Sequence, residues 1–224
     1  MANLNAPFGL SAVRYLDGRP YNGAVNLYAI APTNTNGFYI GDVVATDGTN
    51  GGDGFGIPAV TVGAAGAAVR GVIAAIGTNP RGGPFVNPSN LYGTFSSPQG
   101  GSSLGAISRP AGAQAIWYYA AVIDDPNVLF AVMENSSATP TTGGTPLAAT
   151  NIGLNANLAI AAPAAGNVLS GTYLNNNTAP ATTATFNVKI MRSPSDGQNV
   201  PFTAWQRWLV MINNHELRAG TTGV

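Results

Sequence analysis

Residues 115–133 read AIWYYAAVIDDPNVLFAVM, and this stretch decides the fold class. Two runs rich in β-branched and aromatic residues, Ala115–Ile123 and Val128–Met133, flank Asp124-Asp125-Pro126-Asn127. Proline presets φ for a turn and asparagine tolerates the left-handed region, so the pattern predicts a β-hairpin. Trp117, Tyr118 and Tyr119 stand beside Ala120, Ala121 and Val122, which puts apolar side chains on both faces of the first strand. That is the signature of a central strand covered on both sides, as in a β-sandwich.

The same punctuation runs through the rest of the chain. Val25–Ile30, Phe38–Val44 and Ile57–Val62 are short β-rich runs, separated by the turn-rich segments PTNTNG and TDGTNGGDGFG. Asn151–Ile160 and Val168–Leu174 read as strands. Thr185–Met191 alternates cleanly, with Phe186, Val188 and Ile190 on one face. Two segments fit more than one period. Ala64–Ile76 is alanine-rich and carries Val69, Val72, Ile73 and Ile76 at a spacing that suits a helix or a strand, though Gly66 and Gly71 weaken the helix. Trp205–Ile212 offers a helical face or a strand face, and strand is favoured. Residues 77–112, with nine prolines and glycines from Pro80 to Gly101, form an irregular excursion, and residues 135–150 a polar loop. The first 24 residues, broken by Pro7, Gly9, Gly18, Pro20 and Gly23, read as an extended arm; the competing reading is an edge strand folded on its own core. The expected fold is therefore all-β: a single β-sandwich over residues 25–224, with an N-terminal arm over 1–24.

Composition bounds the function. Only 8% of the 224 residues are charged, nine basic against nine acidic, where soluble domains carry about 25%. Near-zero net charge favours association, so the surface of this chain is expected to be covered by copies of itself or by a partner. There is no cysteine, which removes disulfides and thiolate chemistry. No export signal is expected, because Met1-Ala2-Asn3-Leu4-Asn5 has neither a basic nor an apolar run, and no membrane span, because no uninterrupted apolar stretch reaches the length of a spanning helix. The eight arginines and one lysine are scattered singly, without the basic stripe that nucleic-acid binding needs, so no nucleic-acid partner is expected.

Catalytic and metal constellations are expected to be absent. One histidine, His215, excludes a two-histidine metal site and reads as structural. Asp124 and Asp125 are adjacent and point to opposite sides of a strand end, so they read as turn residues. Asp47, Asn50 and Asp53 sit in a glycine-rich loop without the spacing or the closing glutamate of a calcium loop. A glycosidase needs paired acids, and Glu134 and Glu216 are the only glutamates. No cofactor motif is present, and Trp117, Tyr118, Tyr119, Trp205 and Trp208 read as core or interface.

The opening NAPFGLSAVRYLDGRPYNGA, the segment DDPNVLFAVME, the phrase NIGLNANL and the ending WLVMINNHELRAGTTGV resemble the capsid cement or decoration proteins of tailed bacteriophages. The resemblance implies a jelly-roll-like β-sandwich on the outside of the head in the virion, made in the host cytoplasm. It implies the major capsid protein and the chain itself, as dimer or trimer, as partners. Avidity over many copies would turn modest contacts into durable attachment. On this reading Arg14, Arg19 and Arg218, in the terminal arms, contact partner carboxylates, and Phe8, Leu10 and Tyr15 are apolar anchors. A carbohydrate-binding β-sandwich module on a virion surface is the alternative.

Overall fold

The structure, a computed structural model, describes residues 3–77, 108–135, 145–163, 169–194, 197 and 199–223. Among these residues there is no α-helix, only one 3-10 turn at Ala149–Asn151, and the rest is strand and loop. The strands are β1 Ser11–Tyr15, β2 Asn26–Ile30, β3 Phe38–Tyr39, β4 Val43–Thr46, β5 Val60–Val62, β6 Gly71–Gly77 and β7 Ser108–Arg109, followed by β8 Tyr118–Ile123, β9 Val128–Asn135, β10 Asn155–Ala156, β11 Leu158–Ala159, β12 Tyr173–Asn175, β13 Val188–Arg192 and β14 Arg207–Ile212.

The chain is an all-β sandwich of two main sheets. One runs β2-β8-β6-β4-β5; the other runs β10-β13-β14-β9-β12-β11, with β1 added on β9, and β3 and β7 form a separate pair. The two main sheets hold twelve of the strands, more than the eight of a jelly roll. Adjacent residues of the five-stranded sheet point to opposite cores, as the strand period of two requires. Val43, Val72 and Ile123 pack against the seven-stranded sheet, whereas their neighbours Val44, Ile73 and Val122 pack into a second cluster with Tyr28, Ile30, Phe38 and Val60. β8 is thus a central strand buried on both faces, as its sequence indicates.

Both sheets curl until their edges meet. β10 and β11 belong to one stretch, Asn155–Ala159, interrupted by Asn157 alone; its first part pairs with β13 and its second with β12. One stretch therefore joins the two ends of the seven-stranded sheet. In the five-stranded sheet, Ala29 of β2 bridges in parallel to Ala59, the residue before β5, with Ala29 N–H donating to Pro58 O at 2.9 Å. Closure leaves few unpaired edges, the feature that makes open sheets aggregate.

Several sequence expectations are corrected. β8 and β9 do not form a hairpin. β8 lies between β2 and β6, and β9 pairs with β14 on one edge and with β1 and β12 on the other, so neither has an edge left for its neighbour in sequence. The turn is real: Asp125 Oδ1 accepts Asn127 N–H at 2.8 Å, and Val128 N–H donates to Asp125 O. It reverses the chain between layers instead of within one. The helical option for Ala64–Ile76 also disappears. A β-bulge between Ile73 and Ala75 in β6 lets Ile73 and Ile76 share one face while Val69 and Val72 serve the other core, which produces the 69, 72, 73, 76 spacing without a helix.

Of the two readings of the first 24 residues, the structure has the edge strand for Ser11–Tyr15, which pairs antiparallel with β9. The excursion at 77–112 lies outside the described residues except at its ends, where Ser108–Arg109 pairs with β3. Much of the 135–150 loop lies outside them too. No helix among the described residues is long and apolar enough to cross a membrane.

Candidate interface

The anchors expected in the N-terminal segment divide into two groups. Leu10, 3% exposed, and Tyr15 sit in the chain's own core beside Val128 and Phe130, and Phe8 is half-buried. Tyr15 Oη donates to Asn22 Oδ1 at 2.8 Å, and its ring leans on Tyr21 with centroids 5.9 Å apart. Arg19 is exposed, stacks over the Tyr15 ring at 5.3 Å and pairs with Asp17 at 2.7 Å. Hydrogen bonds from the Arg19 backbone and side chain hold Asp17 below the usual carboxylate range. Tyr15 and Arg19 are therefore brought together. Arg14 pairs with Leu129 and so projects from the outer face of the seven-stranded sheet. Arg218 belongs to a different place, the turn after His215, where its Nη2 donates to Ile212 O at 3.2 Å.

The segment before β1 is clamped at both ends. Leu10 N–H donates to Gly41 O at 2.9 Å. Asn3 Nδ2 donates to Val200 O, Thr203 Oγ1 and Ala204 O at 3.0–3.1 Å, and Val200 N–H returns to Asn3 Oδ1 at 2.8 Å. The loop that Asn3 grips carries Phe202 and Trp205, both at positive φ (57° and 56°), a conformation costly for bulky residues. Large apolar side chains are exposed on this loop, at Phe202 and Val200, and along the N-terminal segment, at Leu4 (80%), Val13 and, after β1, Leu16 (47%). Asn3 and this loop were invisible to sequence reasoning, because a single asparagine 200 residues from its partner leaves no local pattern.

Polar residues weighed as chemistry are engaged internally. Asp124 accepts from Asn26 Nδ2 at 2.8 Å and Tyr28 Oη at 2.6 Å, and Arg70 Nη2 lies 3.7 Å away. Burial, and the hydrogen bond to Asp124, push Tyr28 up to about 12. Asp47 and Asp53 tie their own loop. Asp47 accepts from Thr49 N–H, Asn50 N–H and Asn50 Nδ2; burial opposes ionisation there, but these bonds outweigh it and hold its pKa low. Asp53 accepts from Phe55 and Ile57 N–H and from Tyr119 Oη. Among the described residues no three metal-ligating side chains converge. Glu134 lies within the core and accepts from Trp208 Nε1, whereas Glu216 accepts from Thr46 N–H at 2.7 Å. Tyr119 and Trp208 are core residues, as expected of them.

His215 is 3% exposed and forms a parallel bridge with Val69. Its Nδ1 accepts from Leu217 N–H at 3.0 Å, which assigns the proton of the neutral ring to Nε2. Burial, then the nearby Arg218 and Arg70 charges, lower its pKa, so it is neutral at pH 7. Arg109 is fully buried without a carboxylate partner among the described residues. Its guanidinium donates to the carbonyls of Asn36, Ala31 and Asn34 and lies 5.6 and 5.7 Å from the Phe38 and Tyr118 ring centres. Burial lowers its pKa. It locks the 31–36 loop over the second core, a role no motif announced.

A cavity of about 200 Å³ is lined by Asn36, Tyr39, Asp42, Val62, Ile160 and their neighbours. Asp42, 3% exposed, accepts Tyr39 N–H at 2.8 Å and a Ser170 side-chain hydrogen bond, and burial pushes it up to about 6. No protein family, no curated protein and no solved structure matches this chain.

Proposed function

We propose that the chain is a structural virion protein: a cement subunit that binds the outside of a tailed-phage head, contacts the major capsid protein and further copies of itself, and stabilises neighbouring capsomers. The observation that carries this reading is the group of exposed apolar side chains around the N-terminus, Leu4, Val13 and Leu16, with Val200 and Phe202 on the loop that Asn3 holds. They stand on a chain of which only 8% is charged. Exposed apolar residues on a fixed scaffold mark interaction sites, and a charge-poor surface can be covered without desolvating many ions. The phage-like phrases at both ends of the sequence support the same reading.

The test is co-sedimentation with heads assembled from the major capsid protein of the same phage, with light scattering of the free protein. The wild-type protein is expected to pellet with heads and to exceed monomer mass at micromolar concentration. Replacing Leu4, Val13 and Leu16 by serine should weaken head binding by about tenfold for each side chain that the contact buries, at roughly 1.5 kcal/mol apiece, while circular dichroism stays unchanged. Point substitutions are preferred to truncation, because Leu10 and Tyr15 belong to the core. A clean monomer that fails to bind heads would sink the reading.

A further inference from the structure

The equal numbers of acids and bases conceal an unequal distribution. Among the described residues, Asp42, Asp47, Asp53, Asp124 and Glu134 are buried, against Arg109 alone of the bases. The charges left at the surface are therefore mainly cationic, and strand register collects several of them on one face.

Residues directly opposite on paired strands share a face. Lys189 pairs with Met211, Met211 with Leu129, and Leu129 with Arg14. Arg192 pairs with Leu209, Leu209 with Ala131, and Ala131 with Ser11. Both rows project away from the Phe130–Trp208 core and cross four strands. Their outer ends are Arg14 on β1 and Lys189 and Arg192 on β13, with Arg207 on the same face of β14. With strands about 4.8 Å apart, Arg14 and Lys189 stand about 14 Å from one another at the backbone. No acidic residue occupies an outward position of β1, β9, β13 or β14 in these rows. Leu129, Leu209 and Met211, between the cations, are buried, so the reachable chemistry of this face is its charged ends.

Neither Arg14 nor Arg192 makes an ion pair among the described residues. Arg14 Nε is buried without a hydrogen-bond partner. Lys189 Nζ donates to two neutral oxygens, Thr221 Oγ1 and Thr222 O, and makes no ion pair among the described residues.

We infer that the outer face of the seven-stranded sheet, through Arg14, Lys189 and Arg192, docks a protein surface that presents carboxylates. The inference goes beyond the attachment reading, since it names the chemistry of the surface met and holds for any protein partner. Arginine favours it, because its planar fork takes a carboxylate through two hydrogen bonds. A nucleic-acid duplex would need more cations in line than this face supplies, because its affinity comes from counterion release.

A carboxymethyl matrix at pH 7 is a surface of carboxylates, and serves as the probe. Despite zero formal net charge, the full-length protein should be retained at low salt. It should be released by about 0.15 M salt, where the screening length falls to about 8 Å. Arg14→Gln with Arg192→Gln should pass through unretained. Arg19→Gln, on a cation already paired with Asp17, should leave retention unchanged and controls for a general charge effect. Should the double variant misfold by circular dichroism, Arg192→Gln alone, on an exposed side chain, should lower the eluting salt measurably. Wild-type protein in the flow-through, or unchanged retention of the folded variants, overturns the inference. Equal or tighter binding to a double-stranded DNA fragment at the same salt overturns the assignment to a protein partner. Neither result depends on head binding, so failure of the capsid reading and failure of this one are separable.

Discussion

Trp208 donates its indole N–H to the Glu134 carboxylate at 3.0 Å, with both residues wholly buried between β14 and β9. The same Glu134 oxygen accepts Leu147 N–H at 3.1 Å, which ties the loop before the 3-10 turn to the core. Removing the acceptor leaves two buried donors unsatisfied, at about 1–3 kcal/mol each. Glu134→Ala should therefore destabilise by roughly 2–5 kcal/mol in urea titration, and Glu134→Gln, which keeps an acceptor oxygen, by clearly less. Equal losses for the two variants would mean that the carboxylate charge, which both remove, matters here and the retained acceptor oxygen does not.

Gly9 and Gly18 both have positive φ, 72° and 92°, but their surroundings differ. A methyl group on Gly9 would sit 2.4 Å from Gly41 O and 2.6 Å from Ser170 Cβ, while one on Gly18 would meet nothing within 4 Å. Gly18→Ala should cost only the conformational penalty of about 1–2 kcal/mol. Gly9→Ala adds a clash with backbone that cannot yield, so its midpoint should fall much further in the same thermal melt. Comparable losses would show that the segment before β1 can move off Gly41.

The strands were legible as short β-branched and aromatic runs between turn residues, and their partners were not. Ala115–Ile123 and Val128–Met133 carry apolar residues on both faces, so nothing local distinguishes a hairpin from a crossing between layers. The choice is made by β2, β6, β14 and β1, which occupy the edges. The bulge at Ile73–Ala75 hid a strand behind a helical spacing for a related reason: one inserted residue shifts the phase of a period-two pattern. Of the candidate interface, the low charge and the arginines of the arm could be read in advance. The burial of five acids could not, because it depends on donors such as Tyr28, Asn50 and Tyr119 that reach each carboxylate only in the folded chain.

Asp42 should make stability depend on pH. Its pKa rises from 3.8 to about 6 on folding, so the folded state holds the proton more tightly than the unfolded state. The contribution is fully present below about pH 4, fades between 4 and 6, and is lost above 6. A shift of about two units corresponds to about 3 kcal/mol. Asp42→Asn should thus stabilise the protein relative to wild type at pH 7 to 8, with the gain shrinking toward zero near pH 4. Urea midpoints of both proteins across that range test it; a pH-independent difference would place the ionisation elsewhere.

Deletion of residues 1–16 tests how a charge-poor protein keeps its sheets apart. The usual protection of an exposed strand edge is charge, proline or a bulge, and this chain has little charge to use. Closure through Asn155–Ala159 and the Ala29–Ala59 bridge removes most edges. β1 covers Val128–Ala131 of β9, and its own pairing is bulged between Ala12 and Arg14. Without β1 the Val128–Ala131 edge lies open beside an apolar core, and Leu10 and Tyr15 are lost from that core. The two side chains alone account for roughly 3–6 kcal/mol of burial. The truncated chain should melt well below the full-length protein, and its scattering should rise on standing as open β9 edges pair. Asp17→Asn, which alters charge in the following turn and leaves β1 in place, should do neither. A truncated chain that melts with the full-length protein and stays monodisperse would show that β9 needs no cover, and that closure elsewhere suffices.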